Sequence, residues 1–214
     1  MFKFNFGNSL DRVLCLGAHS DDIEIGCGGT ILKLIEMYPE LEIVWVVLGA
    51  KGIRAKEAIA SAEDFLSSIE QKKIIVKGFK DGFFPYIGAD IKLYFEELKQ
   101  EVNPDLIITH YQQDLHQDHR LVSELTKNTF RNHLIWEYEI PKYDGDLGSP
   151  NILVHLSRDI KQKKVKHLTN HFQTQNNKQW FTEETFNAIL RIRGIESNAP
   201  EQYAEGFCSR KIIF

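Results

Sequence analysis

An unbroken apolar run, Val13-Leu14-Cys15-Leu16, gives way at Gly17 to a loop carrying His19, Asp21 and Asp22. Apolar residues in succession, without alternation, mark a parallel strand covered on both faces. Such a strand commits the chain to an α/β sheet with helices on either side. Ligands bind open α/β sheets at the carboxyl ends of strands, which is where this loop falls. Behind it, Gly26-Cys27-Gly28-Gly29-Thr30 reads as a small-residue turn into a helix beginning near Ile31.

Three readings of the loop stand side by side. In one, His19 and Asp22 each give a ligand to a zinc-like ion while Asp21 stays free for acid–base work. Imidazole and carboxylate donors suit zinc, and a catalytic site needs only three protein ligands. In the second, these are solvated turn residues capping the next helix. The third is a phosphate cradle, but the spacing departs from G-x-G-x-x-G and no Walker lysine follows. A further ligand elsewhere would decide for the metal.

The remaining elements follow from period and punctuation. Residues 41–48 form a second buried strand, reached through an amphipathic helix with Ile31, Leu32, Leu34 and Ile35 on its apolar face. The two strands and this helix make a βαβ unit. Residues 54–69 read as a helix, 73–76 as a strand, and Ile91, Tyr94, Phe95 and Leu98 mark another helix. A fourth strand covers 105–110. Strands at 134–140 and 151–156 flank a turn-rich loop at 141–150, and helices follow at 158–172 and 183–193. Alternating βα units throughout predict a three-layer, Rossmann-like, doubly wound and mostly parallel sheet.

A chain of 214 residues suits one domain with a sizeable core. No repeat or linker divides it, so residues 1–214 read as a single domain. The net charge of -4 leaves no basic surplus for nucleic acid. Cys15, Cys27 and Cys208 form no spaced pair, which favours a reducing compartment. Met1-Phe2-Lys3-Phe4-Asn5 lacks the apolar core of a leader, and no stretch reaches the length of a membrane span. A cytoplasmic protein is expected, and a homo-oligomer is left open.

After the fourth strand comes Asp114-Leu115-His116-Gln117-Asp118-His119-Arg120. His116 and His119 are three apart and share a face if helical. They lie past a strand's carboxyl end, on the same sheet edge as His19 and Asp22. A polar helix start with an incidental histidine pair is the plainer reading; taken with the first loop, the metal reading outweighs it. His110, His133, His155, His167 and His171 stand alone and read as strand-end, surface or packed histidines.

With both stretches in hand, the chain resembles the LmbE-like/PIG-L family of zinc-dependent N-deacetylases. Ala18-His19-Ser20-Asp21-Asp22 with Gly26-Cys27-Gly28-Gly29-Thr30 matches the first family motif, and Asp114 through Arg120 matches the second. Weaker matches are Arg54 with Glu57, Lys80-Asp81-Gly82 and Asn103-Pro104-Asp105. The likeness covers Val13 to about Val122. Beyond it, Tyr138 to Leu147, Arg193-Gly194-Ile195-Glu196 and Tyr203 to Phe207 are similar to one bacterial branch. Ser20 and Gln117 stand where the family usually has Pro, which touches loop rigidity rather than ligands.

The resemblance implies zinc held by His19, Asp22 and His119, with iron also compatible with that ligand set. It implies Asp21 as general base, His116 as an imidazolium facing the oxyanion, and Asp118 as the residue that orients His116. It implies Arg54 as a substrate contact, against a plain Arg54–Glu57 surface pair. Asp81 reads either as an acceptor for substrate hydroxyls or as Asp-Gly turn chemistry. Tyr143, Asp144 and Asp146 lie on a loop that could roof the site. Trp180-Phe181 could stack on a sugar or belong to the core, and Arg193, Glu196 and Glu205 could form an ion-pair network. The expected activity removes an acetyl group from a small N-acetylated amino sugar. An amidase on another small amide, or a non-catalytic sugar- or nucleotide-binding module, is the alternative.

Overall fold

Strand β1 (Arg12–Gly17) sends its side chains alternately into two separate cores. Val13 and Cys15 enter one, Leu14 and Leu16 the other. The chain continues through α1 (Asp22–Met37), β2 (Glu42–Val47), α2 (Ile53–Phe65), β3 (Lys72–Val76), α3 (Gly88–Glu101) and β4 (Leu106–His110). It closes with α4 (Gln117–Thr129), β5 (Leu134–Tyr138), β6 (Ile152–Leu156), α5 (Arg158–His171), α6 (Glu183–Glu196) and β7 (Tyr203–Ser209). These elements come from a computed structural model that describes residues 6, 7 and 10–212. Met1 to Asn5, read above for a leader, lie outside the described residues.

The strands form one seven-stranded sheet in the order β3-β2-β1-β4-β5-β7-β6. From β3 to β5 every neighbour is parallel. Helices α1, α2, α5 and α6 cover one face through Ile31, Phe65, Leu168 and Phe186. On the other face α3 and α4 pack through Phe95 and Val122. Because β1 lies between β2 and β4, its carboxyl end and that of β4 meet where the winding direction reverses, the position at which such sheets bind ligands. Among the described residues no helix is long and apolar enough to cross a membrane.

Two expectations are corrected. The glycine stretch is no turn: α1 begins at Asp22 and holds Gly26, Gly28 and Gly29 inside it, all buried. A β-carbon on Gly26 would sit 2.1 Å from the Tyr138 ring, and one on Gly29 would sit 2.5 Å from Leu156. These residues are small because α1 lies hard against its neighbours. Nor does the βα alternation run to the end. Strand β7, absent from the sequence reading, inserts antiparallel between β5 and β6.

Candidate metal centre

The loop after β1 and the start of α4, after β4, bring the two motifs together. His19 Nδ1 lies 3.1 Å from His119 Nε2 and 3.3 Å from Asp22 Oδ2, and His119 Nε2 lies 3.5 Å from Asp22 Oδ2. All three residues are buried. Asp21 occupies the N-cap position of α1 but makes no side-chain cap bond, which removes the capping explanation for it.

Hydrogen bonds outside the triangle fix what each inner atom can be. His119 Nδ1 is 2.9 Å from Asp114 Oδ2. An imidazole that donates from Nδ1 to a carboxylate presents a lone pair at Nε2. His19 Nε2 faces Asp118 Oδ2 at 3.2 Å and Asp81 Oδ1 at 3.1 Å, so its Nδ1 is the inward atom by the same logic. Two nitrogen lone pairs and a carboxylate oxygen therefore converge on one point. Asp22 Oδ2 also accepts from the His19 backbone N–H at 2.7 Å, and a cation among the ring nitrogens, a proton or a metal ion, balances its buried charge. Nitrogen and oxygen donors of this kind suit zinc or iron, so the residues fit the implied metal.

The electrostatics agree. Burial pushes His119 down to about 3, helped by His110, although Asp22 and Asp114 pull the other way. It is a neutral imidazole, the form that ligates metals. Burial would raise Asp22, yet His119, His110 and His19 hold it well below the usual carboxylate range. His19 is the exception: burial works against charge on it, but Asp22, Asp118 and Asp81 outweigh burial and raise its pKa, so a metal ion would bind there by displacing a proton. For Asp21, burial and then Asp22 raise the pKa, against the pull of Arg54.

Arg54, at the start of α2, does not pair with Glu57. Its NH1 donates to Asp81 Oδ2 at 2.8 Å, its Nε to Ser20 Oγ at 3.2 Å, and its NH2 to Asp21 Oδ1 at 3.4 Å. Glu57 instead accepts from the backbone and hydroxyl of Thr174. Asp81 is half exposed, and its hydrogen bond from His19 pulls it down to about 2. It thus belongs to the centre while Gly82 beside it takes the turn, at φ 76.

Asp118 departs from its implied role. Its carboxylate reaches His19 and accepts from the backbone of Gly82 at 2.6 Å and of Phe84 at 3.1 Å. Toward His116 it offers only its backbone N–H, which donates to Nδ1 at 3.3 Å. Burial and the neighbouring His19 push His116 down in pKa. The imidazolium expected for it is therefore disfavoured, and a neutral ring whose Nδ1 is an acceptor carries its proton on Nε2.

Three contributors went unrecognised in the sequence. His110, at the end of β4, is buried with its ring stacked 3.9 Å from His119 and its Nε2 3.2 Å from Asp22 Oδ2. Its position at a strand's carboxyl end was the available signal. Tyr138 holds Nε2 of that ring at 3.1 Å. Lys142 reaches Asp114 at 3.0 Å and Asp146 at 2.5 Å, tying the 141–150 loop to the partner of His119. Tyr143 on that loop is exposed, whereas Phe181 is core with Trp180 packed beside it. Of the network offered for Arg193, Glu196 and Glu205, only the Arg193–Glu196 pair forms; Arg193 also binds Glu139, and Glu205 pairs elsewhere with Lys164.

Comparison with known proteins bears on the family and the fold. A family profile described as PIG-L, GlcNAc-PI de-N-acetylase, matches residues 14–130, more than half of the chain. The N,N'-diacetylchitobiose deacetylase of Pyrococcus horikoshii is 23% identical with a TM-score of 0.70, over 97% of this chain and 87% of that one. A 4-carboxy-2-hydroxymuconate hydratase of Pseudomonas putida is 18% identical with a TM-score of 0.74, over 96% and 98%. The zinc-inhibited form of a teicoplanin deacetylase is 14% identical with a TM-score of 0.70, over 92% and 97%. At such identities the likeness to these structures carries the fold.

Proposed function

The chain belongs to the PIG-L (LmbE-like) family, and from that premise we propose a zinc-dependent hydrolase that removes the acetyl group from an N-acetylated amino sugar. The carrying observation is the convergence of His19 Nδ1, Asp22 Oδ2 and His119 Nε2 within 3.5 Å of one another. These three would hold the ion. Bound there, a divalent metal acts as a Lewis acid and lowers the pKa of its water from ~15.7 toward ~7.

The chain's own groups do the rest. Asp21 takes the proton from the attacking water; burial and Asp22 raise its pKa toward the range where a base both accepts and returns a proton. Arg54 restrains that rise and holds the carboxylate in place. His116 donates from Nε2, as a neutral ring, to the oxygen that gains charge as the amide carbonyl is attacked. Loss of one such donor typically removes ~3 kcal/mol of transition-state stabilisation. Asp118 and Asp81 fix His19, and Asp114 fixes His119. The half-buried Arg54 and exposed Asp81 form the rim, where a guanidinium fork and a carboxylate suit sugar hydroxyls. A reducing, cytoplasmic setting belongs to the same proposal, since Cys15, Cys27 and Cys208 are all unpaired.

Acetate release tests the reading. Metal-loaded protein is offered N-acetylated monosaccharides, glycosides and nucleotide sugars, beside a chelated sample and Asp21→Asn. Release that vanishes in both controls is the expected result. Release that survives in Asp21→Asn would remove the base from the scheme. No release together with no tightly bound metal would sink the deacetylase and favour a binding module. The hydratase likeness keeps one other water-adding reaction in view, and that reaction frees no acetate.

A further inference from the structure

Two histidines read from the sequence as solitary turn out to share a carboxylate. His167 and His171 lie one turn apart on α5, and their rings stack with centroids 4.2 Å apart. Asp64, on α2, places Oδ2 2.8 Å from His171 Nε2 and 3.3 Å from His167 Nδ1. The three ligand atoms all lie within 4.8 Å of one another. None of these residues belongs to the centre at the sheet edge.

The cluster is supported from behind. His167 Nε2 sits 3.0 Å from Ser61 Oγ, and the Ser61 hydroxyl also bonds the buried Glu24. Phe65 meets the His167 ring edge-on, at 4.6 Å and 87°. With Nε2 occupied and the ring packed, Nδ1 is the atom turned toward Asp64 and His171. This arrangement of a ligating imidazole, held through its other nitrogen, is how metal sites orient histidine. In front the cluster is open: His171 is half-buried and Asp64 is exposed, so an ion can arrive from solvent and keep a water.

We propose that Asp64, His167 and His171 form a second metal site, for a divalent ion of the zinc class, that cross-links α2 to α5. Two histidines at i, i+4 on one helix face are a known zinc chelate, and a carboxylate from another helix completes three ligands with a fourth position for water. Imidazole donors select zinc, cobalt, nickel or copper over magnesium or calcium. Helix α2 begins at Ile53 and carries Arg54, so the cross-link would fix the helix that presents Arg54 to the first centre. The proposal is independent of the deacetylase reading.

Zinc stoichiometry decides it. Full-length protein is stripped with chelator, reloaded with zinc in the presence of a weak competitor, and its bound zinc counted. Two equivalents are expected in the wild-type chain and one in His171→Ala. Asp64→Asn, which leaves every packing contact of α5 in place, should likewise fall to one. In parallel, Asp22→Asn should lose the other equivalent, so failure of either centre is read separately. Bound zinc that is the same in the wild-type chain, His171→Ala and Asp64→Asn would overturn the second site, whatever Asp22→Asn shows of the first.

Discussion

Helix α1 meets two buried groups of charge, and they are built on opposite plans. Against its middle, Glu205 Oε1 accepts from the backbone of Gly29 at 2.8 Å and from Lys164 at 2.6 Å, while Oε2 accepts from Thr30 at 2.6 Å. Lys164 also donates to the Ile25 carbonyl at 2.6 Å. Each acceptor there has its donor. At the first turn of α1, Asp22 Oδ2 accepts from the His19 backbone N–H at 2.7 Å and is crowded as well by ring nitrogens of His19, His110 and His119, all within 3.5 Å. Buried polar groups are normally paired about one to one; three imidazole nitrogens gathered on one carboxylate oxygen exceed that. The paired cluster holds the helix in position, and on the proposed function the crowded one would hold the metal.

The contrast predicts that substitutions divide cleanly between activity and stability. On the proposed function, Asp21→Asn should lower kcat by ~10²–10⁴, the usual worth of a general base, with metal content unchanged. Asp22→Asn should lose the metal, with a smaller loss of stability in the metal-free state than Glu205→Ala produces, since Asn keeps an oxygen that can accept from the His19 backbone. A large drop in its melting temperature would mean that the centre is scaffolding after all.

At the paired cluster the expectation reverses. Glu205→Ala leaves Lys164 buried without its partner, a change that typically costs ~3–5 kcal/mol. Urea unfolding should show that loss, while kcat per folded molecule stays near wild type. Adding Lys164→Met should recover part of the stability. If the double variant is no better than the single one, the ion pair is not what Glu205 contributes.

Glu24 lies between these extremes, on the same helix. It is fully buried, one oxygen bonded to Ser61 and the other without a partner among the described residues. Burial raises it from 4.5 to about 8. For a carboxyl whose folded pKa is raised, stability is complete below the unfolded value and is lost as pH climbs toward the folded one. Between pH 4.5 and about 8, the unfolded chain releases this proton first, at a slope of up to ~1.4 kcal/mol per pH unit. Glu24→Gln should flatten that slope in urea midpoints measured with chelator at pH 5 and pH 8. An unchanged slope would place the alkaline loss elsewhere.

The parallel half of the sheet was legible because its strands, buried on both faces, advertise themselves as apolar runs. The two motifs were legible because His19, Asp22 and His119 cannot easily be packing. Strand β7 was not, since Tyr203-Ala-Glu-Gly-Phe carries a buried charge and a glycine where a strand pattern would show apolar residues. Glu205 is there to bind α1, and Gly206 is small because Pro150 lies 2.8 Å from where its β-carbon would be. The partners of Asp118 were hidden for a similar reason. The family resemblance pointed to His116, three-dimensional proximity gives His19, and only the fold of the β3–α3 connection brings Gly82 and Phe84 to the same carboxylate. His110 looked solitary because its partner Asp22 is distant in sequence; His167 and His171 stand one helical turn apart, but Asp64, which joins them, lies far off in the chain.

The glycines of α1 give the finest test of how scaffold and centre are joined. A β-carbon on Gly26 would press on the Tyr138 ring, whose hydroxyl donates to the Leu16 carbonyl at 2.8 Å and lies 3.1 Å from His110 Nε2. Overfilling such a contact costs ~1–3 kcal/mol, so Gly26→Ala should melt lower by roughly 2–10 °C, scaling that range for a chain of this size. Because Tyr138 holds His110, and His110 stacks on His119, the strain should not stay local. Zinc affinity at the first centre should fall while Glu205→Ala, a larger stability defect, leaves it intact. Equal zinc affinities in the two variants would show that the Tyr138–His110 link is packing alone and that the centre is insulated from the seat of its helix.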